Sequence, residues 1–452
     1  MKTFVDVKDL KQRVEQVIGL AKAKGAETAD CELIQKRDFT VEVRNQNIEN
    51  LSEAESSQIY LTVSVDHRRA AVSSSDLTPE SLEALVAQAV ALCRYTDEDP
   101  FYSLPEVELL QRPSEPLELY DPQLLEMTTE EKIDRVRDLE TGILSRDARL
   151  RSDTCSLSTV VAGSAIGNSL GFCKGEVSGM IAVSAAVFAE DQVAEDDLNT
   201  GRKQTGYSSA RARHVADLKS NHFLAEDAAR RVLRKLGARK PKTGRFPVYF
   251  EPRMARTLWN YLPKAISGGK IFRKESYLLD RLGSVITSPN ITIVDDPTLP
   301  RGLRSRSFDD EAVAGRPLTL VKDGELQTYI MGTYSANKLG LRSTGHAGGT
   351  SNLLISPGDL SEEEMIRRME RGIWVTSMIG HGVNLATGDF SRGAQGLWVE
   401  GGEVRYPIAE FTLNSNLDQM YQDIVMLGSE IDTNHGIQSP GLVVGEMTVS
   451  GA

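Results

Sequence analysis

The sequence has few cysteines, few histidines, few aromatic side chains and no long hydrophobic run. Its 452 residues include four cysteines and six histidines, and aromatic residues make up 6%. No two cysteines form a Cys-x-x-Cys pair and none neighbours a histidine, which argues against a disulfide scaffold and against a structural zinc site of ordinary spacing. We therefore expect Cys31, Cys93, Cys155 and Cys173 to be small thiols inside the protein.

The chain also lacks an excess of positive charge. Its formal net charge is −12, whereas a surface for nucleic acid or anionic lipid requires clustered Lys and Arg. No stretch approaches the roughly 18 apolar residues of a membrane-spanning helix, and Met1-Lys2-Thr3 does not begin a signal peptide. These absences predict a cytoplasmic protein that neither enters a membrane nor binds nucleic acid directly.

The order of helical and strand-like patterns predicts an α+β protein with two large parts. We expect an N-terminal α/β domain of helices and antiparallel strands over residues 1–236, with a further boundary near 97–122, where prolines and acidic residues concentrate. A basic segment with Pro241 follows Gly237 and marks the main boundary. Residues 246–452 are expected to form a mainly antiparallel β domain with a few helices.

Apolar periodicity and turn residues predict individual elements. Helices are expected around 10–21, from Thr78-Pro79 to Cys93, from Thr129 to about Ser145, and over 222–236, 253–266, 362–371 and 417–427. Asp323-Gly324 and Gly401-Gly402 predict β-hairpins. The acidic groups Asp295-Asp296 and Asp309-Asp310-Glu311 have no cation-binding spacing, so we interpret them as solvated turns.

Three short motifs match those of serine hydrolases without the context that such enzymes need. Residues 167–171 match G-x-S-x-G, but strand-like residues follow Ser169 where a nucleophile elbow needs a helix. Residues 335–338 match S-x-x-K and 242–244 match K-T-G, but their order is reversed and S-D-N is absent. We interpret the first motif as a hairpin turn and the others as chance matches, so an esterase or β-lactamase-like hydrolase is only a minor alternative.

Several longer motifs occur in a fixed order along the chain. They are Gly-Gly-Lys-Ile-Phe-Arg-Lys at 268–274, residues 333–341 and 343–349, Gly-Val-Asn at 382–384, Thr-Gly-Asp-Phe-Ser-Arg-Gly-Ala at 387–394, Leu-Trp-Val-Glu at 397–400, Tyr-Pro-Ile-Ala-Glu at 406–410 and Gly-Glu-Met at 445–447. Their order resembles the TldE/PmbA branch of the TldD/PmbA family, whose older name is modulator of DNA gyrase.

The resemblance implies a cytosolic metalloprotease made of two proteins. In that family a TldD partner carries zinc on an H-E-x-x-x-H helix, with a third ligand near its C-terminus. The assembly encloses a chamber in which unfolded peptides are cleaved, including microcin precursors and an antitoxin. The implied fold is an α/β N-terminal part and a β-rich C-terminal part.

This chain departs from the zinc-binding branch at the metal ligands. Asn260, Tyr261 and Ala265 fall where the motif has His, Glu and His, and Ser439 falls where that branch has Cys. No catalytic or metal-binding residue therefore carries over. We expect no cofactor in this chain and zinc in a TldD-like partner.

The hypothesis from the resemblance is that this chain completes or gates its partner's active site. Candidates for contact with the partner or with peptides are His346, His381, Asn384, Asp389 and Arg392, the last two within the turn-rich stretch 387–394. For Asp389 and Arg392, mutual pairing in a buried turn is an equally open alternative.

The expected assembly is a heterodimer or larger hetero-oligomer with a TldD-like subunit, or a homodimer of this chain alone. A different class of function also stays open. The chain could be a regulatory binding protein without a role in proteolysis, acting on gyrase or on an RNA-binding regulator.

Overall fold

The computed structural model describes residues 4–110, 116–191 and 203–451, and these form an α+β fold around two large sheets. The helices are α1 (Val7–Ala23), α2 (Pro79–Leu92), α3 (Gln123–Glu126), α4 (Thr129–Leu144), α5 (Asn221–Leu233), α6 (Pro252–Trp259), α7 (Tyr261–Ala265), α8 (Gly268–Phe272), α9 (Thr333–Leu339), α10 (Glu362–Met369) and α11 (Leu417–Gln422). The predicted α+β class is confirmed. Among these residues no helix is long and apolar enough to cross a membrane.

The strands are distributed between an N-terminal and a C-terminal sheet. The first sheet contains β1 (Thr28–Arg44), β2 (Asn47–Val65), β3 (Arg68–Ser74), β4 (Arg151–Asn168), β5 (Cys173–Glu190) and β6 (Lys203–Ala212). The second contains β7 (Gly244–Phe250), β8 (Ile293–Asp296), β9 (Leu318–Lys322), β10 (Glu325–Leu326), β11 (Asn352–Ile355), β12 (Arg371–Ile379), β13 (Asp389–Glu400), β14 (Glu403–Asn416), β15 (Ile424–Asp432) and β16 (Ile437–Ser450).

The N-terminal sheet repeats one arrangement twice. Its order is β3-β2-β1-β4-β5-β6 and all neighbours are antiparallel. Each half has a helix, three strands and a second helix, and the halves meet where β1 pairs with β4. Alternate residues of the strands are buried against the helices, as expected when one face of an antiparallel sheet is covered. The predicted apolar face of α1 (Leu10, Val14, Val17, Ile18, Ala21) is confirmed as buried.

The C-terminal sheet contains a closed barrel. β7 pairs with β12, β12 with β13, β13 with β14, β14 with β16, and β16 with β7, so the five strands form a ring. The helices α6 and α7 pack beside it and share its largest hydrophobic cluster, with Trp259, Phe250 and Leu442 fully buried. Both predicted hairpins are confirmed, since β9 and β10 flank Asp323-Gly324 and β13 and β14 flank Gly401-Gly402.

Two predicted helices and the two predicted acidic turns are wrong in part. The helix expected over 253–266 is two helices, because Pro263 has no N–H to continue the hydrogen-bond ladder. The helix expected through Leu427 ends at Gln422, and the following residues pair with β16 as a strand. Asp295 and Asp309 are 1% and 3% exposed instead of solvated, and burial raises the pKa of Asp309 to about 6.

The four cysteines are free, and burial raises the pKa of each thiol. Cys31, Cys93 and Cys155 are buried and Cys173 is half-buried, which agrees with the prediction of interior thiols. The stretch 97–122, whose residues 111–115 lie outside the described residues, contacts the C-terminal region: the Tyr334 hydroxyl donates to Asp99 at 2.7 Å.

A buried ion-pair network joins α5 to the C-terminal region. Glu251, 5% exposed, accepts from Arg231 at 2.6 Å and from Arg234 at 2.9 Å. The Trp374 indole N–H also donates to Glu251 at 3.3 Å. Burial of Glu251 opposes ionisation, but the two guanidinium groups hold the pKa of this carboxyl below its ordinary value. The carboxylate therefore stays charged and fixes the two parts of the chain together.

Candidate functional site

Asn260, Tyr261 and Ala265, which stand where the zinc-binding branch has its helical motif, lie at the junction of α6 and α7. Pro252 is the first residue of α6, where a backbone N–H would have no partner within the helix, so its missing N–H costs nothing. Asn260 ends α6 and precedes α7, so it lies at the break between the two helices. Ala265, at the end of α7, is completely buried. The residues therefore occupy a bent segment whose inner face belongs to the hydrophobic core.

The side chains at these positions do not fit a zinc ion. Ala265 has no ligand atom, and the buried Ser439 hydroxyl donates to the Pro440 carbonyl at 2.8 Å. Asn260 offers only an amide, whereas zinc in proteins is bound by imidazole, thiolate and carboxylate groups. In the part of the chain that the structure describes, no three His, Cys, Asp or Glu side chains converge as metal ligands.

Aromatic side chains surround this bent segment instead. The Trp259 ring stacks on Tyr421 with centroids 5.0 Å apart, and the Tyr421 hydroxyl donates to the Leu258 carbonyl at 2.6 Å. Burial raises the pKa of Tyr421 and of Tyr277 well above the ordinary value. Both hydroxyls therefore stay protonated at neutral pH, and neither can act as a base or as an anionic ligand.

Arg392 contacts the segment from β13. Its Nη1 donates to the Tyr261 hydroxyl at 3.4 Å, and its Nε is buried without a hydrogen-bond partner. Arg392 is thus the one sequence-predicted contact residue that the structure brings beside a motif position, namely Tyr261. A guanidinium with a spare donor can donate a hydrogen bond to a carbonyl or carboxylate oxygen.

Asn384 belongs to the turn of residues 380–388 between β12 and β13, and Asp389 is the first residue of β13. The Asn384 N–H donates to the Asp389 carbonyl at 2.9 Å, and the Gly388 N–H donates to the Asn384 carbonyl at 2.7 Å. Asp389 accepts from the Thr387 hydroxyl at 2.6 Å and from Asn416 Nδ2 at 3.4 Å. The turn is therefore tied to itself and to the start of α11, with Asn384 and Asp389 exposed.

Asp389 and Arg392 do not pair with each other. Residues three apart on a strand point to opposite faces, and accordingly Asp389 is exposed while Arg392 is directed toward Tyr261. The mutual pair that the sequence left open is therefore wrong. His381 is exposed in the same turn as Asn384, two residues after Ile379, whose side chain is 60% exposed.

His346 lies apart from this turn and is buried. Its Nε2 is 3.1 Å from Asp295 Oδ2, and its Nδ1 is 2.9 Å from the Thr344 carbonyl. The two side chains of the His346–Asp295 pair are 3% and 1% exposed. In this conformation His346 is not available to a partner or a peptide, and its role is to hold the loop before β11 in place.

Asn416 is an important residue that the sequence reasoning missed. Its side chain accepts from the Asp418 N–H at 3.0 Å, so it caps α11, and donates to the Thr387 carbonyl at 2.9 Å. Gly388 has φ +81°, and an added Cβ there would lie 2.8 Å from Asn416 Oδ1. An Asn directly before an apolar helical pattern is an N-cap signal, and it could have identified this anchor.

The hairpin turn predicted for the G-x-S-x-G match is confirmed. Residues 169–172 turn between β4 and β5, and the Ser169 hydroxyl accepts from the Ala29 N–H at 3.0 Å. Ser335 lies in α9 and donates to the Gly332 carbonyl at 3.1 Å. Ser169→Ala and Ser335→Ala should each leave any peptidase activity of the protein or its complexes unchanged, because each hydroxyl is bonded to a backbone group. A fluorogenic peptide assay of both variants tests this, and loss of turnover in either would restore the hydrolase alternative.

Comparisons with known proteins cover nearly the whole chain. Residues 29–93 match PmbA/TldA metallopeptidase domain 1, residues 122–236 the central domain and residues 243–451 the C-terminal domain. The metalloprotease PmbA of Escherichia coli O157:H7 is 35% identical over 98% of this chain and 96% of its own length. A PmbA homologue of Haemophilus influenzae is 32% identical with the same coverage of both chains.

Solved structures share the fold. A candidate modulator of DNA gyrase from Bacteroides thetaiotaomicron superposes with a TM-score of 0.93 at 26% identity, covering all of both chains. TldE of Thermococcus kodakarensis superposes with a TM-score of 0.86 at 20% identity, covering 97% of this chain and all of its own. The resemblance inferred from the motifs is confirmed. On the strength of these full-length matches, the chain belongs to the PmbA/TldD metallopeptidase family.

Proposed function

We propose that this chain is the non-metal subunit of a cytoplasmic two-protein metalloprotease and completes or gates the active site of a zinc-bearing, TldD-like partner. One observation carries the proposal: the family fold is retained while Asn260, Tyr261, Ala265 and Ser439 stand at the motif positions, where none can bind zinc. A metallopeptidase fold that lacks the zinc ligands needs a second chain to supply them if it is to take part in zinc-dependent cleavage. Unfolded peptides are the substrate class that this assignment implies.

The turn of residues 380–388 is the contact surface that we assign to this role. It presents His381 and Asn384 in the open, with exposed Asp389 next to it at the start of β13, while Asn416 donates to the Thr387 carbonyl of its backbone. A rigid exposed turn loses little conformational entropy on binding. Exposed Ile379 beside it adds apolar area of the kind that interfaces bury.

Reconstitution with a TldD-like protein from the same organism tests the proposal. We expect the purified chain alone to hold no stoichiometric zinc and to cleave no unfolded peptide. The mixture should form a stable hetero-oligomer and cleave, with activity lost to a chelator and to replacement of the partner's motif histidines. Asn260→Ala in this chain is the matched control and should leave cleavage intact. Zinc-dependent cleavage by this chain alone would refute the division of labour.

A regulatory binding protein is the second candidate, favoured by the description of the Bacteroides relative as a candidate gyrase modulator. The net charge of −12 counts against direct action on DNA. Size-exclusion chromatography separates the two functions. A homodimer that ignores the TldD-like protein and alters gyrase supercoiling would favour the regulator, whereas a complex with peptidase activity favours the protease.

A further inference from the structure

A cationic pocket lies between the N-terminal sheet and α6. It has a volume of about 340 Å³ and is lined by Arg211 of β6, Arg256 of α6, Arg304 and His435. Small-molecule sites in proteins span roughly 300–1,000 Å³, so this pocket is large enough for a chain end or a small anion. Three guanidinium groups that converge on one cavity call for an anionic ligand.

The protein itself supplies little negative charge to the pocket. Asp432 is the nearest carboxylate to Arg256, with its Oδ2 3.7 Å from Nη1. Within the described residues Arg211 and Arg304 make no ion pair. Nη1 of Arg256 is buried and has no hydrogen-bond partner there. An unpaired buried donor is unfavourable, and a bound oxyanion would supply the missing acceptor.

The electrostatic state of Arg256 agrees with this shortage of anions. Burial, together with nearby cations such as Arg253, lowers the pKa of the Arg256 guanidinium to about 10. The group remains charged at neutral pH despite the lowered value. Its surroundings therefore hold a positive charge that is only partly compensated.

The remaining walls of the pocket favour a particular kind of anion. Met180, Leu303 and Ile437 line it beside the arginines, so an apolar surface adjoins the cationic groups. The aliphatic part of the Arg304 side chain packs directly against Gly436, and a Cβ added to Gly436 would overlap it. A carboxylate carried on an organic chain satisfies both surfaces, whereas a free inorganic ion would leave the apolar wall in contact with water.

The position of the pocket relates it to the candidate site. Arg256 precedes Asn260 by one turn of α6, and Asp432 is the cross-strand neighbour of Ser439. The pocket thus lies beside two of the positions at which the zinc-binding branch carries ligands. A peptide chain held here by its end would lie close to the place that corresponds to the metal centre.

We propose that Arg211, Arg256 and Arg304 form a binding site for the terminal carboxylate of a peptide. The assignment rests on the proposed function for its biological meaning, because a peptide-processing complex is what would deliver such chain ends. His435 is the fourth polar residue of the lining.

Fluorescence anisotropy with the purified full chain tests the proposal. The probes are a hexapeptide labelled at its N-terminus and the same hexapeptide amidated at its C-terminus. We expect the free acid to bind at least tenfold more tightly than the amide. Arg256→Gln and Arg304→Gln should each reduce that binding at least tenfold, and Arg367→Gln on the exposed surface of α10 should not. Arg304 lies on a loop, so its variant keeps the test decisive if Arg256→Gln fails to fold.

Two outcomes would overturn the assignment. Equal affinity for acid and amide would show that the terminal carboxylate is not recognised. If inorganic phosphate displaced the labelled free-acid peptide completely at a phosphate concentration below the peptide concentration, the pocket would be a phosphate site instead. The binding assay uses this chain alone and so does not depend on the reconstitution with a TldD-like protein. If the free acid binds selectively but no complex forms with that protein, the carboxylate site is supported and only the proposed function is refuted.

Discussion

Glu251→Ala should lower the free energy of unfolding by about 3–5 kcal/mol, the usual cost of removing one partner from a buried ion pair. Glu251 is 5% exposed and accepts from Arg231, Arg234 and the Trp374 indole. Without the carboxylate, Arg234 loses its ion-pair partner beneath the surface, and Arg231 keeps only Asp227 at 2.9 Å. Chemical denaturation, read as the midpoint and slope of the unfolding curve, measures the change.

Controls separate this effect from general helix damage. Glu226→Ala removes a carboxylate from α5 whose side chain is 60% exposed, and surface substitutions of this kind stay within about 0.5 kcal/mol. Glu251→Gln keeps the shape and one acceptor, so its loss should fall between the two. A loss below 1 kcal/mol in Glu251→Ala would show that the network does not hold the two parts together.

The same network sets a direction for acid sensitivity. The pKa of Glu251 is lowered in the folded protein, so the folded state binds its proton less readily than the unfolded chain. The contribution is complete above the unfolded pKa of about 4.3 and is lost as the pH falls through the lower folded value. Glu251→Ala should lack this component of acid destabilisation.

Gly382→Ala should weaken association with a TldD-like partner at least tenfold while the chain stays folded. A Cβ on Gly382 would overlap the Ser391 carbonyl oxygen, and the Gly382 carbonyl accepts from the Ser391 N–H at 2.7 Å. Ser391 belongs to β13 and is held by its pairing with Asn414 of β14. The turn of residues 380–388 must therefore move rather than the strand.

Gly393→Ala is the matched control for this substitution. Its added Cβ would meet Ile379 at 3.7 Å, an ordinary contact, so neither the turn nor association should change. Surface plasmon resonance against the immobilised partner gives the affinities, and circular dichroism confirms folding. Unchanged affinity in a folded Gly382→Ala variant would remove the turn from the interface.

Local signals in the sequence were sufficient for the elements that are stabilised locally. The apolar faces of α1 and α2, the start of α4 and the glycine turns at Gly324 and Gly402 each follow from neighbouring residues. Such signals depend on helix caps and on φ > 0, which a single segment determines by itself.

Long-range contacts decided the rest. Residues 424–427 continue an apolar helical pattern, but they pair with β16 because that strand offers a ladder on its free side. Asp295 looked like a surface turn residue and is buried because His346, 51 residues away, provides its partner. The pocket of Arg211, Arg256 and Arg304 joins three separate segments, so no spacing rule could have found it.

The closed barrel has a consequence for how the protein is made. β7 joins the ring only through β12 and β16, and its pairs with β16 link Val248 to Val444 and Phe246 to Met447. During synthesis, β7 leaves the ribosome long before β16 exists, and contacts of such high sequence separation form slowly. Phe250 and the inner face of α6 are therefore exposed throughout that interval. The N-terminal sheet can fold on the nascent chain, but the barrel of the C-terminal region can close only after β16 has been synthesised. The C-terminal region is most open to chaperone binding during that interval.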